Sequence, residues 1–318
     1  MSNGRAAGLL LVLFSAAAFA TSGPLAGSLI ATGWTPGAAV IFRLLIAAAV
    51  LTIPAAIEMR GRWSLLRGGV PTVLAYGVVA VAGAQFAFFN AIAHLSVGVA
   101  LLLEYQGTII VVAWLWLRHG RRPRPVVLAG AVVALVGLAL VLDVLGGFRL
   151  DAVGVLWGLV AAVGLATFYV MAGNDAQPMP PLALSCAGLW VGAVVMVGAA
   201  AAGLVPFRTA TAPVRLAGQQ VSWLVPVVGL AIVAAAIGYV LGILGARLLG
   251  ATLASFVGLS EVLLAVVFAW LFIGQTPTVL QAVGGVVVVA GVALVRLGEL
   301  RTPVARTQAL PVEQPAAV

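Results

Sequence analysis

Long apolar runs alternate with short polar segments along almost the whole chain. A helix needs about 20 apolar residues to cross the hydrocarbon core of a bilayer, and ten runs meet that requirement. The predicted spans are 8–30, 37–57, 70–92, 97–117, 125–142, 152–172, 182–203, 222–245, 250–273 and 279–297. The pattern therefore predicts an all-α integral membrane protein with ten transmembrane helices.

The two halves of the chain resemble each other. When Gly8 is aligned with Gly154, eight of the twenty positions 8–27 match, including Gly8 itself and Leu10 with Leu156. The sequence Ala-Trp-Leu at 113–115 recurs at 269–271, and GAVVALVGLALV at 130–141 recurs as GGVVVVAGVALV at 284–295. Three matches in the same order predict two five-helix repeats.

These repeats define the predicted domains. The first covers residues 8–142, the second covers 152–297, and residues 298–318 form a polar tail that we expect to be disordered and cytoplasmic. Because each repeat has an odd number of spans, the second enters the membrane from the opposite side. The prediction is an inverted repeat, an architecture of secondary transporters in which the substrate site lies between the repeats.

Composition and charge agree with a membrane location. The chain is 64% hydrophobic and 8% charged, whereas a soluble protein has about a quarter of charged residues. All basic residues are Arg; twelve fall in segments on the side of the N-terminus and three on the opposite side. Basic loops stay in the cytoplasm, so we expect both termini there, in the plasma membrane. The net charge of +8 then needs no nucleic-acid partner.

Ionisable side chains inside predicted spans are costly and mark candidate sites. Glu104 lies about 10 Å deep in the fourth span, where it can bind an amine or carry a proton, or serve as a structural carboxylate. Glu261 lies in the ninth span, nearly equivalent to Glu104, and either faces a cavity or packs as a neutral acid. Arg43 lies at a similar depth in the second span. It either pairs with Glu104 or extends to the outer interface.

Other polar residues of the spans are secondary candidates for a binding cavity. Tyr105 and Thr108 extend the polar cluster around Glu104, and Gln85 and Asn90 are amides that need partners within a span. The further candidates are Ser22, Tyr239 and Ser260, with Thr21, Phe86, Trp157, Tyr169 and Ser255 as possible lining residues. The segment Thr21–Pro24 predicts either a local break of the first helix or a plain proline kink.

The sequence lacks the motifs of several function classes. The sequence has no phosphate-binding loop, no nucleophile elbow and no His/Cys spacing for a metal. The single cysteine, Cys186, can form no disulfide within the chain. We therefore expect no cofactor, no metal and no catalytic activity, and a gradient, exchange or downhill flow as the source of energy.

The residues named above resemble the drug/metabolite transporter superfamily, in particular its EamA-type members. The resemblance covers about residues 8–297 and includes AAVIFRLLIAA around Arg43 and FNAIAHLSVGVA at 89–100. LLLEYQGTII at 101–110 and LSEVLLAVVFAWLFIGQ at 259–275 are similar to the fourth and ninth spans of the threonine/homoserine exporter branch. The Gly-Glu that often follows those spans is replaced by Arg118-His119 and Gly274-Gln275.

The resemblance implies an alternating-access transporter that exports a small amino acid, metabolite or drug-like solute. Glu104 and Glu261 would lie in its central cavity, with a proton as candidate coupling ion and a monomer or homodimer as the assembly. An integral-membrane enzyme and a membrane receptor or assembly factor are the alternative interpretations. The enzyme would need converging catalytic groups, and the receptor would tolerate the loss of both glutamates.

Overall fold

The computed structural model describes residues 3–95, 97–120, 123–141, 151–174, 178–216, 218–273 and 278–300. Helices form most of this part of the chain. They are α1 (Asn3–Ala20), α2 (Ser22–Ile30), α3 (Pro36–Glu58), α4 (Ser64–Ala75), π1 (Tyr76–Gly83), α5 (Ala84–His94), α6 (Val97–Glu104), α7 (Gly107–His119), α8 (Pro125–Val141), α9 (Ala152–Ala172), α10 (Pro181–Ala201), α11 (Leu224–Val228), π2 (Gly229–Ile237), α12 (Gly238–Leu249), α13 (Ala251–Gly258), α14 (Ser260–Ile273) and α15 (Val279–Leu300).

The helical stretches follow the predicted spans, and their ends differ from the predicted ends by no more than six residues. Within the described ranges, nine stretches are long and apolar enough to cross a membrane. The described part of the fifth predicted span, Pro125–Val141, is shorter, and residue 142 lies outside the described residues. A count of ten therefore stays a prediction.

The predicted C-terminal tail begins later than expected. Helix α15 continues to Leu300, so residues 298–300 are helical rather than disordered, because the apolar pattern of the last span extends through Leu297 and Leu300. Residues 301–318 lie outside the described residues.

Helices of one half pack mainly on helices of the other half, in corresponding pairs. Helix α1 packs on α12, and the corresponding helix α9 packs on α5 and π1. Helix α3 packs on π2, and α10 packs on π1. Helices α3 and α10 also pack on each other, as do α8 and α15. The two repeats are therefore interleaved rather than side by side, and the interior belongs to both.

Four irregular segments interrupt the helices at corresponding places in the two halves. The π-helices π1 and π2 continue directly into α5 and α12, whose first residues, Ala84 and Gly238, are 154 positions apart. The fourth stretch breaks at 105–106, between α6 and α7, and the ninth breaks at Leu259, between α13 and α14. Both breaks lie at bilayer depth by their position in the spans.

The first stretch is interrupted only at Thr21, where α1 ends and α2 begins. Leu25 donates to the carbonyl of Thr21 (3.2 Å), four residues earlier, whereas Thr21 donates to that of Ala18 (3.3 Å), only three residues earlier. Pro24 has no amide hydrogen for the carbonyl of Ala20, which explains an interruption at this place. A one-residue interruption beside a proline fits both predicted forms, the local break and the kink.

Glycines bring α8 and α15 into backbone contact. A Cβ atom on Gly137 would lie 2.5 Å from the amide nitrogen of Val288 and 2.9 Å from the carbonyl oxygen of Gly284. A Cβ atom on Gly130 would lie 2.8 Å from the carbonyl oxygen of Gly291. Small residues allow such an approach in bilayers, where close packing replaces the hydrophobic drive between helices.

A short hairpin caps one end of the bundle. Strands β1 (Val214–Leu216) and β2 (Gln219–Val221) pair antiparallel, with Val214 opposite Val221. The segment before β1 is held by the loop that precedes α3: Thr35 donates to the carbonyl of Pro206 (2.8 Å) and Trp34 donates to that of Ala210 (2.8 Å). The span pattern leaves residues 204–221 between two predicted helices and predicts no strand there.

The contact between α8 and α15 can be tested by adding one methyl group. We expect Gly137→Ala to lower the free energy of unfolding by about 1–3 kcal/mol, because the methyl group meets backbone atoms that have no room to move. Thermal unfolding in detergent micelles measures the change.

The matched control is Gly198→Ala in α10, where an added Cβ meets no atom within 4 Å. Alanine is the better helix former by about 0.5–1 kcal/mol, so this variant should be at least as stable as the parent. Equal stabilities of the two variants would show that α8 and α15 do not pack as described.

Candidate functional site

A small central cavity lies where both repeats meet, with a volume of about 50 Å³. Residues of the first, third, fourth, sixth, eighth and ninth spans form its wall. They are Phe19, Ser22, Ala80, Ala84, Gln85, Phe88, Glu104, Tyr105, Leu165, Phe168, Tyr169, Tyr239 and Glu261. In this state the cavity admits a compact group rather than a whole drug-sized molecule, which needs about 300–1,000 Å³.

The break in the fourth stretch brings Glu104 to this cavity. Glu104 is the last residue of α6. The amide of Thr108 would donate to Glu104 in an unbroken helix, but it donates to the carbonyl of Tyr105 (3.0 Å), and the Thr108 hydroxyl donates to the same oxygen (2.9 Å). Thr108 is fully buried and does not line the cavity, so it supports the break.

The break in the ninth stretch is closed by a side chain of the other repeat. The amide of Val262 donates to the carbonyl of Leu259 (3.2 Å) and not to that of Gly258, its partner in a regular helix. The Tyr105 hydroxyl lies 2.9 Å from that Gly258 oxygen and 2.7 Å from Oε2 of Glu261. Its single proton thus serves two acceptors, and Tyr105 joins the two breaks.

Glu104 differs from Glu261 in its partners. It is 9% exposed, faces the cavity, and forms no hydrogen bond or ion pair with any residue in the described ranges. Measured from the breaks, the two carboxylates are also less equivalent than expected: Glu104 precedes its break, whereas Glu261 is the second residue after its own. The cavity therefore has one bound and one open carboxylate.

Arg43 adopts neither of the two predicted arrangements. It is 0% exposed, so it does not extend to the interface, and it forms no ion pair with Glu104. Its Nη1 donates to Oγ of Ser22 (3.0 Å), its Nη2 donates to the carbonyl of Ala234 in π2 (3.1 Å), and the guanidinium lies 5.8 Å from the ring centre of Phe89. Helix α3 packs between α2 and π2, which directs the side chain to these acceptors.

Gln85 and Tyr239 form a second contact between the repeats. Nε2 of Gln85 donates to the Tyr239 hydroxyl (3.2 Å), which donates to the carbonyl of Ala80 in π1 (3.5 Å). Gln85 and Tyr239 are 154 positions apart, as are Ala80 and Ala234, and this is the spacing of the helix starts after π1 and π2. The carbonyls of Ala80 in π1 and Ala234 in π2 are therefore at equivalent positions, and each accepts a hydrogen bond from a side chain of the other repeat.

Seven of the cavity residues were predicted from the sequence: Ser22, Gln85, Glu104, Tyr105, Tyr169, Tyr239 and Glu261. Arg43 and Thr108 do not line the cavity but bind residues that do. Arg43 donates to the hydroxyl of Ser22, and Thr108 donates to the carbonyl of Tyr105. Asn90 does not join the cavity wall, because its amide donates to the carbonyl of Phe86 on its own helix (2.7 Å). Ser260 begins α14, outside the cavity wall, and its hydroxyl has no partner among the described residues.

Three rings of the wall were missed: Phe19, Phe88 and Phe168. Phenylalanine is common in membrane spans, so nothing in the pattern separates these positions from lipid-facing or packing positions. Their role depends on which helices are neighbours, and a single sequence does not give that.

A second cavity of about 640 Å³ lies between α1, α2, π2, α12 and α14. Among the described residues, Thr21 is its single polar lining residue, and the hydroxyl of Thr21 donates to the carbonyl of Ala18 (2.7 Å). A wall without charges and with one committed hydroxyl offers little for recognition. The smaller central cavity is therefore the better candidate site.

A contact between a histidine and an aspartate links the repeats away from the cavity. Nδ1 of His94, at the end of α5, lies 3.1 Å from Oδ2 of Asp151, which precedes α9. The amide of Val153 donates to Oδ1 of Asp151 (2.8 Å), and this hydrogen bond lowers the pKa of Asp151 below its usual value. The exposed pair fixes the start of the second repeat.

Comparison with known proteins gives a consistent result. A model of the EamA-like transporter family matches residues 6–143 and again residues 152–297. A protein of Archaeoglobus fulgidus described as an uncharacterized transporter is 26% identical over 207 residues, which are 65% of this chain and 70% of the relative. A crystal structure with 20% identity has the same fold, with a TM-score of 0.73 over 94% of this chain and 100% of the other.

The hydrogen bond of the Tyr105 hydroxyl can be tested by removing that hydroxyl and, as a control, the hydroxyl of a neighbouring tyrosine. We expect Tyr105→Phe to lower the free energy of unfolding by about 1–3 kcal/mol, because it leaves the buried Gly258 carbonyl without a donor. Chemical unfolding in detergent, followed by circular dichroism, measures the loss.

Tyr169→Phe is the matched control, since Tyr169 lines the same cavity and its hydroxyl forms no hydrogen bond with a described residue. A loss as large for Tyr169→Phe as for Tyr105→Phe would contradict the assigned bond.

Proposed function

Because the chain belongs to the EamA-like transporter family, we propose that it is a secondary transporter that moves small organic solutes through the central cavity by alternating access. The observation that carries this proposal is the meeting of two broken helices, one from each repeat, with a carboxylate at each break and a cavity between them. The chain is a multi-span membrane protein of a transporter family. In our proposal, its solute site is formed by the two carboxylates and the other residues that line the cavity.

The packing of the repeats supports the alternating-access mechanism. Corresponding helix pairs pack in the same way in both halves, and side chains of each repeat bind carbonyls of the other. With five spans per repeat, as the sequence predicts, the repeats have opposite orientations in the membrane. Exchange of their conformations then converts an inward-open state into an outward-open state.

We further propose that the direction is outward and that a proton is the coupling ion, exchanged at Glu104 or Glu261. The distribution of Arg supports an orientation in the plasma membrane with both termini in the cytoplasm. The similarity of residues 101–110 and 259–275 to the threonine/homoserine exporter branch stays a prediction, as do the domain boundaries at 142 and 152.

Flux measurements in proteoliposomes test the proposed function. We expect Glu104→Gln and Glu261→Gln to reduce solute flux at least about tenfold, because each removes a carboxylate whose charge-assisted hydrogen bond to the solute is worth about 1.5–3 kcal/mol. Solutes that accumulate in cells lacking the protein provide the panel to be tested.

Glu58→Gln is the matched control. Oε2 of Glu58 accepts a hydrogen bond from the amide of Ala183 (3.0 Å), and the carbonyl oxygen of a glutamine can accept the same bond. This variant should transport as the parent does. If folded parent protein moves no solute of the panel under any imposed gradient, the chain is not a transporter of this kind.

A further inference from the structure

The charges that face the central cavity all have one sign. Glu104 and Glu261 line it, and within the described ranges no Arg or His does so. Arg43 is adjacent, but both of its terminal nitrogens bind protein oxygens, those of Ser22 and Ala234. A solute in the cavity therefore meets carboxylates directly and the guanidinium only through Ser22.

Aromatic rings form nearly half of the wall. Phe19, Phe88, Phe168, Tyr105, Tyr169 and Tyr239 all line the cavity. Several meet edge to face, with ring centres 5.3 Å apart for Phe19 and Tyr239 and 5.6 Å apart for Phe168 and Tyr239. Ring faces attract cations, and such cages recognise quaternary ammonium groups in particular.

Hydrogen-bond donors for an anion are scarce in the same wall. The hydroxyls of Tyr105 and Tyr239 and one N–H of the Gln85 amide already donate to protein acceptors. Among the described residues of the wall, the remaining donors are the hydroxyls of Ser22 and Tyr169 and the second N–H of Gln85. A carboxylate on the solute would thus lie beside two like charges with few donors to compensate the loss of its hydration.

Glu104 differs from these donors, because it is a hydrogen-bond acceptor to which no described residue donates. Its side chain is about nine-tenths buried, faces the cavity and has no hydrogen-bond partner in the described part of the chain. A buried carboxylate is stable only with a partner or with a proton, so a cationic group is the complementary ligand.

We propose that the cavity binds small organic cations of the alkylammonium class, quaternary ammonium groups included, and discriminates against solutes that carry a carboxylate. As a statement about the transported solute, this inference rests on the proposed function. As a statement about binding, it rests on the cavity alone. The charge lies between Glu104 and Glu261, and the alkyl groups contact the rings.

Binding calorimetry of the purified full chain in detergent micelles tests the inference directly. The probes are choline and glycine betaine, which share a trimethylammonium group and differ in that betaine carries a carboxylate. We expect choline to bind at least about tenfold more tightly, because the additional negative charge faces two carboxylates across a short distance. Equal affinities, or tighter binding of betaine, would overturn the proposal.

Three variants assign the affinity to the cavity. Glu104→Gln should weaken choline binding about tenfold through the loss of the paired charge. Phe88→Leu should weaken it roughly two- to tenfold through the loss of a ring face. Glu58→Gln should leave it unchanged. Choline binding that is equal in all three variants would place the cation elsewhere and contradict the assignment.

Binding and flux together separate this inference from the proposed function. If vesicles move another solute while the folded protein does not bind choline, transport stands and the cation site is wrong. If choline binds as expected but no solute of the panel crosses the membrane, the cation site stands and transport is wrong. Melting curves of each variant confirm that the protein compared is folded.

Discussion

Hydrogen bonds that cross between the repeats are the interaction on which this interior depends. A bilayer offers no water to irregular backbone, so a break or a π-helix at that depth must find partners within the protein. Arg43 donates to Ala234, Tyr239 to Ala80 and Tyr105 to Gly258. In every case the donor belongs to one repeat and the carbonyl to the other. Neither repeat could keep its irregular helices without its counterpart, and the cavity exists because those helices are irregular.

The same bonds explain where the charges lie. Breaking the fourth and ninth stretches turns Glu104 and Glu261 toward a shared space, and Tyr105 occupies one carboxylate while leaving the other open. Arg43 is held behind this space by Ser22, so its charge compensates the carboxylates without filling the cavity. In the transport that we propose, a change of state rearranges contacts made by both repeats. A ligand that neutralises Glu104 therefore acts at the point where the repeats are joined.

The sequence predicts the spans well and the site only in part, for physical reasons. Apolar runs determine where a chain enters and leaves a bilayer, and Glu104 and Glu261 stand out because charge is rare there. The breaks at 105–106 and Leu259 contain no proline, and π1 and π2 lie in ordinary apolar sequence, so local pattern does not reveal them. The partner of Arg43 was missed because Ala234 is a backbone acceptor 191 positions away. Phe88 and Phe168 were missed because only helix packing distinguishes a ring in a cavity wall from a ring in lipid.

Accessibility of the cavity from the two sides of the membrane tests the central claim most directly. Ala80 lines the cavity, and Ala39 is equally buried within α3 but outside it. Each can be replaced by cysteine after Cys186→Ser, which removes the single native thiol. A membrane-impermeant thiol reagent should modify Ala80→Cys in both right-side-out and inside-out vesicles, and should leave Ala39→Cys unmodified. Modification of Ala80→Cys from one side only, under every imposed gradient, would contradict alternating access through this cavity.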